Sequence, residues 1–226
     1  MLRIYGTIKS RTARVLWMAE ELALPYELVP VDYSTGQTRT ASFLAINPNG
    51  HVPAIDDGGL RLSESMAINL YLARKHADSP ISPRGLAEEG SCLSWSLWTV
   101  TEVEASALTV LMHGARLPEE RRDLQKLAQA TGALRAPLAV LEQTLRGSGN
   151  GNGNGAGRDA RYLLGDRFTV ADLNVAAVLA WARAVAAPLS EFPLASAWLD
   201  RCLARPAYRR IEAMRRAADA ISLPTT

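Results

Sequence analysis

Pro53 stands at the entrance to a short apolar run, Asn49-Gly50-His51-Val52-Pro53-Ala54-Ile55, and its placement bears directly on chemistry. A proline there removes one ladder donor, so Val52 can offer its own N–H and C=O to a chain outside the sheet. Ten residues further on, Ser63 reads as the N-cap of a helix whose first turn holds Glu64 and Ser65. Exposed backbone donors and the positive end of the helix attract an anion such as a carboxylate at that point. Edge backbone at Val52 and an anion cradle at Ser65 together describe a site for a short acidic peptide. The negative charge of Glu64 does not fit a simple cradle. Ser10 lies between a short apolar run and the helical pattern that follows it, where serine is a favoured cap.

These residues need a frame. Leu2 to Tyr5 has strand composition, Arg11 to Leu24 carries Val15, Leu16, Met18, Ala19 and Leu22 at helical spacing, and Tyr26 to Val31 returns to strand composition, which predicts a βαβ unit with parallel strands. A short helical stretch over Thr40 to Ile46 leads to the Pro53 strand. Asp56-Asp57-Gly58-Gly59 predicts a tight hairpin to Leu60-Arg61-Leu62, and Met66, Ile68, Leu70, Tyr71 and Leu72 continue the helix after Ser63. The order βαβαββα defines an N-terminal α/β domain over residues 1–78. After a linker around Ala77 to Leu86 with Pro80 and Pro83, strand signals vanish. Helices are predicted over Ser91 to Ala115, Pro118 to Arg146, Thr169 to Ala187, Pro193 to Ala204 and Ala207 to Ala220, so residues 87–226 form an all-α domain. Gly147 to Gly157, rich in glycine and asparagine, reads as a surface loop, because no Gly-Lys-Ser/Thr ending makes it a phosphate loop.

The chain has 226 residues, 48% of them hydrophobic, and a formal net charge of +2. That is enough for two modest domains and shows no charge excess demanding a nucleic acid or a membrane surface. Met1 runs directly into the first strand and no apolar stretch approaches the ~20 residues of a membrane span, so the expected location is the cytoplasm. Cys92 and Cys202 lie far apart in helical contexts and read as packed thiols. Three histidines, His51, His76 and His113, without clustering predict no metal. In Phe168-Thr169-Val170-Ala171-Asp172-Leu173, Thr169 and Asp172 have the spacing of a capping box with Phe168 as its staple, a structural use of the carboxylate.

Five segments occur in an order and spacing that resemble the glutathione S-transferase family, in its cytosolic, serine-type, bacterial-like form, over nearly the whole chain. They are Tyr5-Gly6-Thr7-Ile8-Lys9-Ser10-Arg11-Thr12-Ala13-Arg14-Val15, Gly50-His51-Val52-Pro53, Leu62-Ser63-Glu64-Ser65-Met66-Ala67-Ile68, Trp95-Ser96-Leu97-Trp98 and Tyr162 to Leu173. The resemblance implies a thioredoxin-like first domain, an all-helical second domain, and glutathione as co-substrate. It implies Ser10 as the catalytic hydroxyl facing the glutathione sulfur, a cis Pro53 with the Val52 backbone on the cysteinyl part, Glu64 and Ser65 on the γ-glutamyl end with Glu64 toward its ammonium, and His51 near the glycine carboxylate. Two other branches of the family use a tyrosine near the chain start or a cysteine where Ser10 stands. Tyr5 sits inside the strand and reads as packing, and the serine disfavours disulfide exchange. A thiol of pKa about 8.5 is ~3% ionised near neutrality, and about 2.7 kcal/mol makes its thiolate the majority species.

The same resemblance implies a small electrophile as second substrate. Leu108, Met112, His113 and Arg116 are candidates for its contacts, although a Leu/Met stripe at helical spacing also reads as core. A homodimer is implied as well, with Trp95 and Trp98 on one helix face and Glu102 or Glu104 reaching the partner. Against the enzyme stands a non-catalytic, dimeric module of the same fold; the Ser10, Val52-Pro53 and Glu64-Ser65 set favours the enzyme.

Overall fold

Alternation in the first strand sets the sheet. Leu2 and Ile4 point inward and are buried while Arg3 between them is exposed, the two-residue period of a strand with one covered face. In the computed structural model, which describes residues 1–147 and 160–221, strand β1 (Leu2–Tyr5) is followed by helix α1 (Thr12–Glu21), strand β2 (Tyr26–Val29) and a single turn α2 (Ala41–Leu44). Strand β3 (Ala54–Asp57), strand β4 (Leu60–Ser63) and helix α3 (Ser65–Lys75) complete the βαβαββα order. The sheet runs β2-β1-β3-β4, with β1 parallel to β2 and antiparallel to β3, and β3 antiparallel to β4. Gly58 and Gly59 close the β3–β4 hairpin with φ of 65° and 98°, the left-handed pair that two-residue hairpin turns require and glycine supplies without strain. Val15, Leu16 and Met18 of α1 and Ile68 and Leu72 of α3 are fully or almost fully buried with Ile4 and Ile55 of the sheet. Asp57 accepts hydrogen bonds from Tyr71 and Lys75 and so ties β3 to α3.

The helices that follow are α4 (Gly85–Trp98), α5 (Glu104–Leu111), α6 (Leu124–Ala133), α7 (Arg135–Leu145), α8 (Val170–Leu179), α9 (Pro193–Leu203) and α10 (Pro206–Ile221). The first predicted helix there begins at Gly85, not Ser91, and two π-helical turns, Thr99–Val103 and Met112–Arg116, interrupt it on either side of α5. The stretch predicted as one helix over Pro118 to Arg146 divides into α6 and α7. Pro137 sits in the first turn of α7 and has no N–H to donate back into the end of α6, so the chain starts afresh there. Apart from Asp172 and Asn174, helix α8 is apolar all round and almost wholly buried, the composition of a central helix. Asp172 in its first turn is fully buried and forms the expected capping box with Thr169. It accepts hydrogen bonds from the backbone N–H groups of Leu163 (2.8 Å) and Thr169 (2.9 Å) and from Trp198 Nε1 (2.9 Å). Burial pushes its carboxyl up, opposed first by the Leu163 hydrogen bond. Burial likewise pushes the Cys92 thiol up to about 11, which makes it a packing residue and not a nucleophile.

Residues fall into two compact units, Met1–Ser82 joined by the segment from Ala204 through α10, and Pro83–Leu203. This departs from the expected division at 87–226, because α10 packs on α1. Trp17 and Tyr208 meet edge to face at 4.7 Å, Arg205 grips Glu21 through two hydrogen bonds of 2.7 Å, and Arg210 Nε donates to Glu20 at 2.6 Å. The Gly/Asn-rich loop expected over Gly147 to Gly157 lies, from residue 148 on, outside the described residues. Among the described residues no helix is long and apolar enough to cross a membrane.

Candidate functional site

One rung of the sheet gathers the residues singled out above. Tyr5 pairs with Ala54 and Ala54 with Ser63, so the loop that leaves β1 toward Ser10, the Val52-Pro53 pair that enters β3 and the Glu64-Ser65 pair that leaves β4 all emerge at the same end of the sheet. The Val52–Pro53 peptide is cis. Val52 precedes the first ladder residue, Ala54, and it is half-buried whereas Pro53 is buried.

Gly6 shows how closely the parts approach. Its φ is 135°, and a Cβ there would come within 2.0 Å of Thr12 Oγ1 and 3.1 Å of Val52 Cβ. Thr12, fully buried, is in turn bonded to Ser10: the Thr12 N–H donates to Ser10 Oγ at 3.2 Å. The Ser10 hydroxyl has two acceptors for its single proton, the Thr7 carbonyl and Thr12 Oγ1, each at 2.8 Å. The N-cap position of α1 is Arg11, without a side-chain cap bond; Ser10, one residue earlier, accepts the first helical N–H and presents a half-buried hydroxyl whose proton can be redirected. Tyr5, the rival hydroxyl, is half-buried and packs edge to face on Phe43 at 6.3 Å, beside a cluster of Val31, Phe43 and Ala54.

At the start of α3 the structure corrects one expectation. Ser63 is the last residue of β4, held in register with Ala54, and the N-cap is Glu64. Glu64 has φ 67° and ψ 111° and makes no side-chain cap bond. A non-glycine residue held there stores backbone strain, a feature that collects at binding sites. Its side chain is exposed, whereas Ser65, the first helical residue, is 6% exposed.

His51 is exposed, and its backbone carbonyl accepts from Asn47 Nδ2 at 2.7 Å while Asn47 Oδ1 accepts from the Asn49 N–H. That buried asparagine fixes the approach to Val52. Two further residues went unnoticed in the sequence. Arg39 Nη1 donates to the Asn49 carbonyl at 3.2 Å, adding a cation beside the His51 loop. Arg14, 3% exposed, donates from Nη1 to Ser65 Oγ at 3.3 Å. Arg14 is the basic residue in the otherwise apolar inner face of α1, and that mismatch was the available signal.

The helical unit places the remaining candidates. Met112, His113 and Arg116 fall in the second π-helical turn and Leu108 just before it, and π turns are frequent at functional sites. His113 Nδ1 accepts from the Asp123 N–H at 3.0 Å, so a neutral ring carries its proton on Nε2 and offers it as a donor. Trp95 and Trp98 stack edge to face at 4.9 Å. Glu102 is exposed and Glu104 is 8% exposed, which leaves Glu102 as the surface carboxylate of the two. No group of His, Cys, Asp and Glu that could hold a metal ion occurs among the described residues.

Family models described as "Glutathione S-transferase, N-terminal domain" and "Glutathione S-transferase, C-terminal domain" match residues 1–74 and 122–201. Glutathione S-transferase 3 of Zea mays is 32% identical over 222 residues, 92% of each chain. Among solved structures, a glutathione transferase from Populus trichocarpa superposes with a TM-score of 0.84 at 25% identity, over 96% of this chain and 100% of that one. Glutathione S-transferase I from maize, in complex with an atrazine glutathione conjugate, gives 0.80 at 26% identity over 100% and 99%.

Proposed function

Because this chain belongs to the glutathione S-transferase family, we propose that it is a glutathione transferase that binds glutathione across the Tyr5–Ala54–Ser63 rung and offers its sulfur, as thiolate, to a small electrophile. The convergence of Ser10, Val52-Pro53 and Glu64-Ser65 at one end of the sheet is the observation that carries this reading. Val52, ahead of the ladder, pairs its backbone with the cysteinyl part of the tripeptide. Ser65 and the first N–H groups of α3 receive the γ-glutamyl carboxylate, and Glu64 meets its ammonium. His51, with Arg39 nearby, lies toward the glycine carboxylate. Ser10 turns its proton from Thr7 or Thr12 to the sulfur, and that hydrogen bond together with the start of α1 favours thiolate over thiol. The thiolate attacks an electrophilic carbon and the leaving group departs with the displaced electron pair. Leu108, Met112, His113 and Arg116 are the helical unit's contacts for the electrophile, with His113 Nε2 as a donor.

The chain works as a cytoplasmic homodimer with a detoxifying role. Leu93, Leu97 and Val100 form an exposed apolar stripe along α4 and the turn after it, beside the Trp95–Trp98 pair, and a stable pair buries at least ~1,200 Å². Retention on immobilised glutathione, followed by conjugation of a general aryl halide, tests the function; binding without turnover on any electrophile would favour a non-catalytic module. Light scattering tests the assembly, and a mass of one chain at micromolar concentration would sink the dimer.

A further inference from the structure

We propose that Arg14 is a positioning residue that turns the Ser65 hydroxyl into a committed donor for the γ-glutamyl carboxylate of glutathione, a role that rests on the binding mode just described. An arginine keeps its charge at every accessible pH, has donors only, and has no lone pair to offer. Ser65 Oγ therefore accepts from Arg14 Nη1 at 3.3 Å and cannot return its own proton to it. The one proton of that hydroxyl is left for another acceptor, at the N-terminal turn of an eleven-residue helix where an anion is favoured.

Burial adds to the effect. Arg14 is 3% exposed and Ser65 6%, and a charge so far from water acts on its neighbours more strongly than a surface charge. Placing a guanidinium there is costly unless it is hydrogen-bonded, so its retention inside α1 calls for a use. Asn69, fully buried one turn along α3, donates from Nδ2 to the Arg14 carbonyl at 3.4 Å. Ser65 and Asn69 share a helix face at four-residue spacing, and Arg14 engages both. Arg14 also lies four residues after Ser10, on the helix whose first N–H Ser10 accepts. It braces the helix behind the thiolate site to the helix behind the carboxylate site.

The test is calorimetric titration of glutathione, and of glutathione amidated at the γ-glutamyl α-carboxylate, into wild type, Arg14→Lys, Ser65→Ala and the double variant. The shorter, pointlike lysine cation cannot hold Ser65 as the guanidinium does, so Arg14→Lys should weaken glutathione binding about tenfold. In the Ser65→Ala background the same change should cost no more than about twofold, and the amidated ligand should show the same small difference. Equal losses in both backgrounds, or with both ligands, would reduce Arg14 to a packing residue and overturn the proposal. Wild type that binds glutathione no better than Arg14→Lys also overturns it. Wild type that does not bind at all overturns the binding mode itself, and this role with it. Should Arg14→Lys fail to fold, the guanidinium nitrogen signals of Arg14 in wild type provide the readout. They should move on addition of glutathione and stay in place with the amidated ligand; signals indifferent to glutathione would sink the idea.

Discussion

The Ser10 hydroxyl has one proton and two oxygens 2.8 Å away to receive it. Its other duty, accepting the Thr12 N–H, would not change if the proton turned to a sulfur as proposed. Removing the hydroxyl therefore has two separable effects. Ser10→Ala should cost about 1 kcal/mol of stability, the usual loss of a hydrogen bond to a helix-terminal N–H, read by thermal denaturation. It should also move the thiolate titration of bound glutathione up by about one pH unit, with conjugation near neutrality falling roughly tenfold. An unmoved titration would take Ser10 out of the chemistry and leave it the partner of the Thr12 N–H. Glu64 offers the reverse pairing of effects. At φ 67° a glycine fits without strain, so Glu64→Gly should raise stability by about 1 kcal/mol while weakening glutathione by ~1–3 kcal/mol through loss of the ammonium partner. Denaturation and calorimetry on one variant would show the two moving oppositely.

Among elements, the β3–β4 hairpin does most to assemble the site, and it was also the most legible. Asp57-Gly58-Gly59 announced its turn, whereas the pairing of Ala54 with Ser63 came only with the structure. The same pairing explains why Ser63 was misread as a cap: a serine before a helical run has the right chemistry, but the ladder holds it and passes the cap position to Glu64. Arg14 was harder to read for a related reason, since its break in the apolar face of α1 names no partner until Ser65 and Asn69, more than fifty residues away, are known to meet it. The π turns leave no mark on the apolar spacing that predicted the helix. Asp57 carries a pH prediction. Its carboxyl is held below the usual carboxylate range, first by the hydrogen bond from Lys75. A lowered folded value contributes stability above the ordinary carboxylate pKa and loses it as pH falls through the folded one. Asp57→Asn should thus flatten the acid side of the stability curve, and an unchanged acid limb would assign that loss to other carboxylates.

For the whole molecule, the return of α10 to α1 is the feature no local pattern disclosed, because an amphipathic helix at the end of a helical stretch gives no hint of which unit it will cover. Its anchors are unequal. The Glu21 side chain is only 6% exposed and receives Arg205 bidentately as well as Trp17 Nε1, whereas the side chain of Asp219, paired with Lys9 at 2.9 Å, is 63% exposed. Glu21→Gln should cost about 1–3 kcal/mol and Asp219→Asn less than about 1 kcal/mol, and hydrogen exchange in α1 should report the first far more than the second. The order of synthesis gives this helix a further consequence. A ribosome completes every strand of the sheet early, yet the segment that covers Trp17 leaves the exit tunnel only after the entire helical unit has been made. Through that interval the nascent chain carries an indole and a face of α1 without Tyr208 against them, and a message cut short before residue 206 would yield a chain in which that apolar surface stays uncovered.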